Sequence, residues 1–156
     1  RYNPQLIDAT FALLLESTGE SLVIPALNRD GDTLSDLVMK LFGTIAGAES
    51  VILSFDDNFD VRTVLTEAPH GTAPSLQGKN IANPMAMILA AASLLRYFRS
   101  EKANEASRAI YESVMETVYE GIKTPDLGGS ASTTEFTDEV IRRIRQKLDI
   151  WDSLGE

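Results

Sequence analysis

From Met85 to Leu95 the sequence reads Met-Ala-Met-Ile-Leu-Ala-Ala-Ala-Ser-Leu-Leu, with Ser93 as its one polar residue. At helical pitch such a segment is apolar nearly all round, and a helix of that kind has to be buried among other elements. The run from Pro84 to Leu95 is too short to cross a bilayer, so a protein core is its natural environment. Its start is marked by Asn83-Pro84, a capping residue followed by a first-turn proline, and the helix is predicted over Pro84 to about Phe98. The segment before it, Glu67 to Ala82, is loop-like and rich in Gly, Pro and Ser.

The rest of the chain supplies further elements. Asn3-Pro4 opens a helix carried by Ile7, Phe11 and Leu14, with Gly19 as its stop. Leu22 to Pro25 reads as a short strand and Asn28-Arg29-Asp30-Gly31 as a polar turn, after which Leu34, Leu37, Val38 and Leu41 mark a second helix. Val51–Phe55 and Val61–Leu65 flank Asp56-Asp57-Asn58, the best hairpin candidate. An amphipathic helix is expected from about Asn104 to Tyr119, closed by Gly121, and a last one after Thr133-Thr134 through Val140, Ile141, Ile144 and Leu148. Between those two lies Thr124-Pro125-Asp126-Leu127-Gly128-Gly129, a second turn-rich loop. No internal repeat or low-complexity tract is visible.

Composition excludes some functions. The 156 residues carry a formal net charge of -9, which disfavours a nucleic-acid partner, because that binding draws on Lys and Arg at phosphates. No cysteine is present, so disulfides, thiolate nucleophiles and sulfur-ligated metals are excluded, and a metal would need oxygen ligands or His70. The first residues do not resemble a signal peptide and no membrane partner is expected; cytoplasm or an organelle matrix is the expected location.

Two constellations could carry chemistry. Asp32 and Asp36 lie four apart on the second helix, so their carboxylates share a face. That spacing suits a hard cation of the Mg²⁺ or Mn²⁺ kind, and equally a solvated helix face. The run Glu67-Ala68-Pro69-His70-Gly71-Thr72-Ala73-Pro74 holds the single histidine among residues that let backbone approach a ligand closely. His70 could stack on or hydrogen-bond to a base there, or lie at the surface.

Read together, these motifs resemble a known family. Glu67 to Ala73, continued by Gly78-Lys79, Ile81-Ala82-Asn83-Pro84 and Ala86-Met87-Ile88-Leu89, is similar to the adenosine-binding loop and following helix of the β-decarboxylating dehydrogenases, the isocitrate and isopropylmalate dehydrogenases. Asn28, Gly31-Asp32 and Ser35-Asp36 resemble that family's N-x-x-G-D-x-x-S-D metal motif. Asp8-Ala9 matches the position of a further carboxylate, and Thr124 to Gly129 resembles the loop before the family's last helix. The resemblance covers nearly the whole chain.

What the resemblance implies is specific. The fold would be α/β, the C-terminal part of the isopropylmalate dehydrogenase-like fold, with helices on a mostly parallel sheet that is incomplete without an N-terminal half. Residues 1–46 would belong to the small domain and 47–156 to the large cofactor-binding domain. Asp32 and Asp36 would hold Mg²⁺ or Mn²⁺, with Asp8 completing a site across a dimer. The metal would chelate a 2-hydroxy acid and stabilise the enolate left when carbon dioxide departs. Glu67, His70, Gly71, Thr72, Ala73 and Asn83 would line the cofactor pocket, His70 and Asn83 nearest the adenine.

The cofactor would be NAD. Bacterial-type NADP members place a Lys, a Tyr and an Arg where this chain has Ser75, Pro125 and Gly129, so three partners for a 2′-phosphate are missing. NAD members often have an acidic residue at the Ser75 position, and Asp126 would share its role toward the ribose hydroxyls. A further departure is Glu49-Ser50-Val51 with Asp56-Asp57, where the family commonly has a Gly-rich turn leading to P-S-A-N. The family's substrate-binding Ser and Arg cluster and its catalytic Tyr and Lys lie upstream of the segment this chain covers, so no catalytic residue is assigned. The chain is therefore expected to be a part that does not turn over alone, pairing with the missing N-terminal half or forming a homodimer. The alternative is a truncated nucleotide- or metal-binding regulatory or structural homologue. The look of Thr124 to Phe136 favours isocitrate or a close relative such as isopropylmalate as substrate.

Overall fold

The computed structural model describes residues 3–16, 22–41 and 47–155. The chain separates into two compact units, Arg1–Gly43 and Thr44–Glu156.

The first unit contains α1 (Ile7–Glu16) and α2 (Asn28–Leu41), which touch each other. Each buries one leucine, Leu14 on α1 and Leu34 on α2. The expected strand at Leu22–Pro25 does not form. Residues 22–27 are irregular, with Val23 91% exposed. A strand needs a ladder partner, Pro25 has no amide to give one, and the two strands that do form pair with each other. The expected turn at Asn28–Gly31 is instead the first turn of α2. Its ladder begins where Gly31 N donates to Leu27 O at 2.8 Å, and Asp30 lies in the first turn, where a helix favours negative charge. The Gly19 stop lies outside the described residues.

The second unit begins with the hairpin. β1 (Ser50–Phe55) and β2 (Val61–Glu67) pair antiparallel, Ser50 opposite Glu67 and Leu53 opposite Val64, with an irregularity between Ser54 and Phe55. This ladder is the sheet that the described residues contribute. Asp56 closes the turn, its Oδ1 accepting from the amides of Asn58 and Asp60 at 2.9 and 3.0 Å. Phe59 takes up the left-handed conformation that such a tight reversal demands, φ 64°.

Three helices follow, α3 (Met85–Leu95), α4 (Glu101–Tyr119) and α5 (Thr133–Leu154). α3 packs on both strands and on α4, and α4 packs on α5. The apolar helix is thus buried along most of its surface, through Met85, Ala86, Leu89, Ala90, Ala92 and Ser93. It begins one residue later than predicted and ends about three earlier, because 96–98 continue as tight i to i−3 turns. One side stays uncovered, where Met87, Ala91 and Leu94 are exposed. Met85, Ala86 and Leu89 join Val114 of α4 and Phe136 and Val140 of α5 in one core cluster. Glu120 and Gly121 close α4, Gly121 with φ 91°. α5 starts two residues earlier than expected, on a capping box in which the Ser132 side chain accepts from Glu135 N while Glu135 accepts from Ser132 N.

Candidate functional site

Glu67 is the last residue of β2, and the chain then runs through the loop to Pro84 before α3. Glu67, His70, Gly71, Thr72 and Ala73 lie on its near side and are exposed. His70 Nδ1 lies 2.9 Å from Gly71 O. A carbonyl only accepts, so this contact needs the proton on Nδ1, which leaves Nε2 of the neutral ring as an acceptor. Ala73, at φ 41°, turns the chain into a single 3₁₀ turn, Pro74–Leu76, that carries Ser75. Asn80 is also left-handed, at φ 54°.

The far end of the loop is held by residues from much later in the sequence. Asn80 Oδ1 accepts from the Thr134 amide at 3.2 Å and from its hydroxyl at 2.9 Å, while Asn80 O accepts from the Thr133 amide at 2.9 Å. The Thr133 hydroxyl donates to Ala82 O at 2.6 Å. Asn83 Oδ1 accepts the Met85 amide at the start of α3, and its Nδ2 donates to Asp126 Oδ2, both at 3.0 Å. Asp126 Oδ1 accepts from the hydroxyl of the fully buried Thr124 at 2.6 Å. Thr124–Gly129 is itself a closed turn: Leu127 N and Gly129 N both donate to Thr124 O, and Ala131 N donates to Lys123 O. Asn83 and Asp126, which the resemblance assigns to one cofactor site from two separate motifs, are therefore in direct contact.

Gly129 sits at the tightest point. A Cβ there would lie 2.0 Å from Lys123 O, so the turn in this conformation accepts no side chain at 129. Two surface concavities of this unit, one along the outer face of α5 from Asp138 to Ser153 and one beside Gly121–Lys123, include no residue of the 67–83 loop.

In the other unit, Asp32 and Asp36 lie on α2, four apart and both exposed, a donor pair of hard oxygens that fits one face of a hydrated divalent cation. Asp8 is on α1, exposed, with its Oδ1 accepting from Ala9 N at 2.9 Å. Among the described residues no group of three His, Asp or Glu side chains converges as a metal site, so within one chain Asp8 is not gathered to the pair on α2.

Sequence reasoning missed the charged seam between α4 and α5. Arg143, only 9% exposed, meets Glu139 at 2.6 Å, Glu120 at 2.5 Å and Glu116 at 3.6 Å. Lys147 meets Glu116 and Glu112, and Glu112 also meets Arg108, whose guanidinium lies 4.9 Å from the Trp151 ring centre. The Arg142 guanidinium holds the Glu139 carboxyl down to about 2, against the desolvating effect of burial and with help from Arg143. The signal was legible as acids at 112, 116 and 120 facing bases at 143 and 147, each at one-turn spacing. On the other side of α4, the Tyr111 hydroxyl donates to Glu49 at 2.5 Å, and burial followed by that bond pushes its pKa up to about 12.

Comparison with known proteins identifies the family. A family model described as isocitrate/isopropylmalate dehydrogenase matches residues 1–140. A 3-isopropylmalate dehydrogenase of Archaeoglobus fulgidus is 41% identical over 140 residues, 90% of this chain and 40% of that protein. A mitochondrial protein of Arabidopsis thaliana named isocitrate dehydrogenase [NAD] catalytic subunit 5 is 36% identical over 140 residues, 89% of this chain and 35% of that protein. The crystal structure of an apo β-decarboxylating dehydrogenase from Thermococcus kodakarensis superposes with a TM-score of 0.78 at 34% identity, covering 94% of this chain and 41% of that one. The chain thus spans about two fifths of the length of these proteins and has the fold of the corresponding part.

Proposed function

This chain belongs to the isocitrate/isopropylmalate dehydrogenase family, and from that premise we propose that it is the C-terminal part of an NAD-type, metal-dependent oxidative decarboxylase of a 2-hydroxy acid. In this reading residues 1–46 belong to the small domain and 47–156 to the cofactor-binding domain. The loop from Glu67 to Asn83 takes the adenosine end of NAD: His70 offers a ring face and an acceptor nitrogen, and the Gly71-Thr72-Ala73 backbone offers close approach. The single observation that carries the reading is the Asn83–Asp126 hydrogen bond, which joins two motifs 43 residues apart at one place.

Three features support NAD over NADP. Ser75 and Pro125 offer no cation to a 2′-phosphate, and an Arg at 129 would require the Thr124–Gly129 turn to reopen. The similar proteins are named as dehydrogenases of 3-isopropylmalate or isocitrate, and the proposed substrate is a 2-hydroxy acid of that class.

Asp32 and Asp36 would hold Mg²⁺ or Mn²⁺, with Asp8 donated to the site of a second copy in a dimer. A cation bound there supplies the positive charge that stabilises negative charge developing on the substrate as carbon dioxide leaves. The two carboxylates fix where that charge sits. Proton transfer and substrate carboxylate binding are assigned to groups outside this chain.

Two variants test the reading. Asp32→Asn with Asp36→Asn removes charge without volume and should abolish Mn²⁺ binding while leaving α2 intact by circular dichroism; unchanged Mn²⁺ affinity would refute the metal assignment. His70→Ala should weaken NAD binding several-fold with unchanged thermal stability, since His70 is exposed.

A further inference from the structure

Resting on the reading of 67–83 as a nucleotide loop, we infer that Asp126 is a positioning residue that acts on the cofactor through Asn83, and does not itself bind the ribose. Each of its carboxylate oxygens already accepts a hydrogen bond within the protein, Oδ1 from the Thr124 hydroxyl at 2.6 Å and Oδ2 from Asn83 Nδ2 at 3.0 Å, so the carboxylate is oriented by protein donors on both sides. Asn83 is committed in turn, accepting the Met85 amide on Oδ1. The result is a relay, Thr124 hydroxyl to Asp126 to Asn83 to the first amide of α3. Its far anchor is fixed, because Thr124 is fully buried and its carbonyl closes the 124–129 turn through Leu127 N and Gly129 N.

The relay acts where the loop needs it. Residues 80–82 are already held by Thr133 and Thr134, and Ala73 and Asn80 keep left-handed backbone that the surroundings have to impose. Asp126 adds the last tie, at Asn83, and so sets where the loop's end meets α3. A carboxylate suits this because it only accepts, and both neighbours present donors to it.

The hydrogen-bond pattern predicts a reciprocal rescue. In Asn83→Asp with Asp126→Asn, residue 83 can still accept the Met85 amide, the amide of residue 126 can donate to it, and the oxygen of residue 126 can still accept from Thr124. Asn83→Asp alone, by contrast, sets two acceptors face to face, and Asp126→Asn alone either sets two donors together at Asn83 or, flipped, takes from the Thr124 hydroxyl the acceptor it now donates to. In the intact protein each single change should weaken NAD binding about five- to tenfold and speed hydrogen exchange at the Met85 amide by a similar factor. The double change should restore both to within about threefold of the parent.

A direct ribose contact would give a different pattern. Asp126→Asn alone would then cost the affinity, and adding Asn83→Asp would not recover it even where Met85 exchange recovers; that outcome overturns the proposal. If the parent protein fails to bind NAD, the nucleotide reading falls and the cofactor role of Asp126 falls with it, whereas NAD binding by the parent without rescue in the double variant refutes the positioning role alone.

Discussion

A Cβ at Gly129 would strike Lys123 O at 2.0 Å, and the Gly129 amide is bonded to Thr124 O, so neither the residue nor its neighbour can give way without breaking the turn. Gly129→Ala should lower stability by about 1–3 kcal/mol, as overpacking of a closed site does, and should weaken NAD binding along with it; an unchanged melting temperature would show that the turn has room to relax. Phe59 makes the opposite case. It is left-handed and 86% exposed, so its side chain has almost nothing to lose. Phe59→Gly should raise stability by roughly 0.5–1 kcal/mol, the relief of the left-handed penalty less the extra chain entropy of glycine, measured by urea unfolding. The residues at 32, 36, 67, 70 and 83 were legible as candidates only through the resemblance of their motifs to a known family, because spacing alone suits Asp32, Asp36 and His70 equally to a solvated surface. The commitments of Asp126 were not, because a partner 43 residues away leaves no local trace.

At the scale of elements, hydrophobic period was a good guide wherever burial is one-sided or complete. It located the hairpin and α3, α4 and α5, and it failed at Leu22–Pro25, where four apolar residues in a row cannot distinguish a strand from an irregular segment. Phe136, fully buried where α5 meets the core cluster, holds that helix in place. Phe136→Ala should cost about 3–5 kcal/mol, seen as loss of α5 protection in hydrogen exchange. The charged seam between α4 and α5 gives a pH dependence of known sign. Glu139 has its folded pKa lowered from 4.5 to about 2, chiefly by Arg142, so its contribution is complete above about 4.5 and disappears as pH falls toward 2. Tyr111 is raised from 10.0 to about 12 by burial and the Glu49 bond, so its contribution is present below 10 and is lost as pH rises through 12. Glu139→Gln should flatten the acid limb of the stability curve and Tyr111→Phe the alkaline limb; unaltered limbs would contradict those assignments.

For the molecule as a whole, two features fit a part of a larger fold. The chain spans about two fifths of its relatives, and the second unit exposes several large apolar side chains, Met87 of α3 at 57% and Phe98 just beyond it at 57%, with Ile52 and Leu65 of the hairpin also exposed. Among the described residues no helix is long and apolar enough to cross a membrane. An NAD-specific nucleotide loop in this chain is tested most simply by a thermal-unfolding titration of the protein with NAD and with NADP. NAD at about a hundred times its dissociation constant should add roughly 2.7 kcal/mol of stability, and NADP should bind at least about tenfold more weakly, a difference of about 1.4 kcal/mol. Equal stabilisation by the two, a preference for NADP, or no stabilisation by either would contradict it.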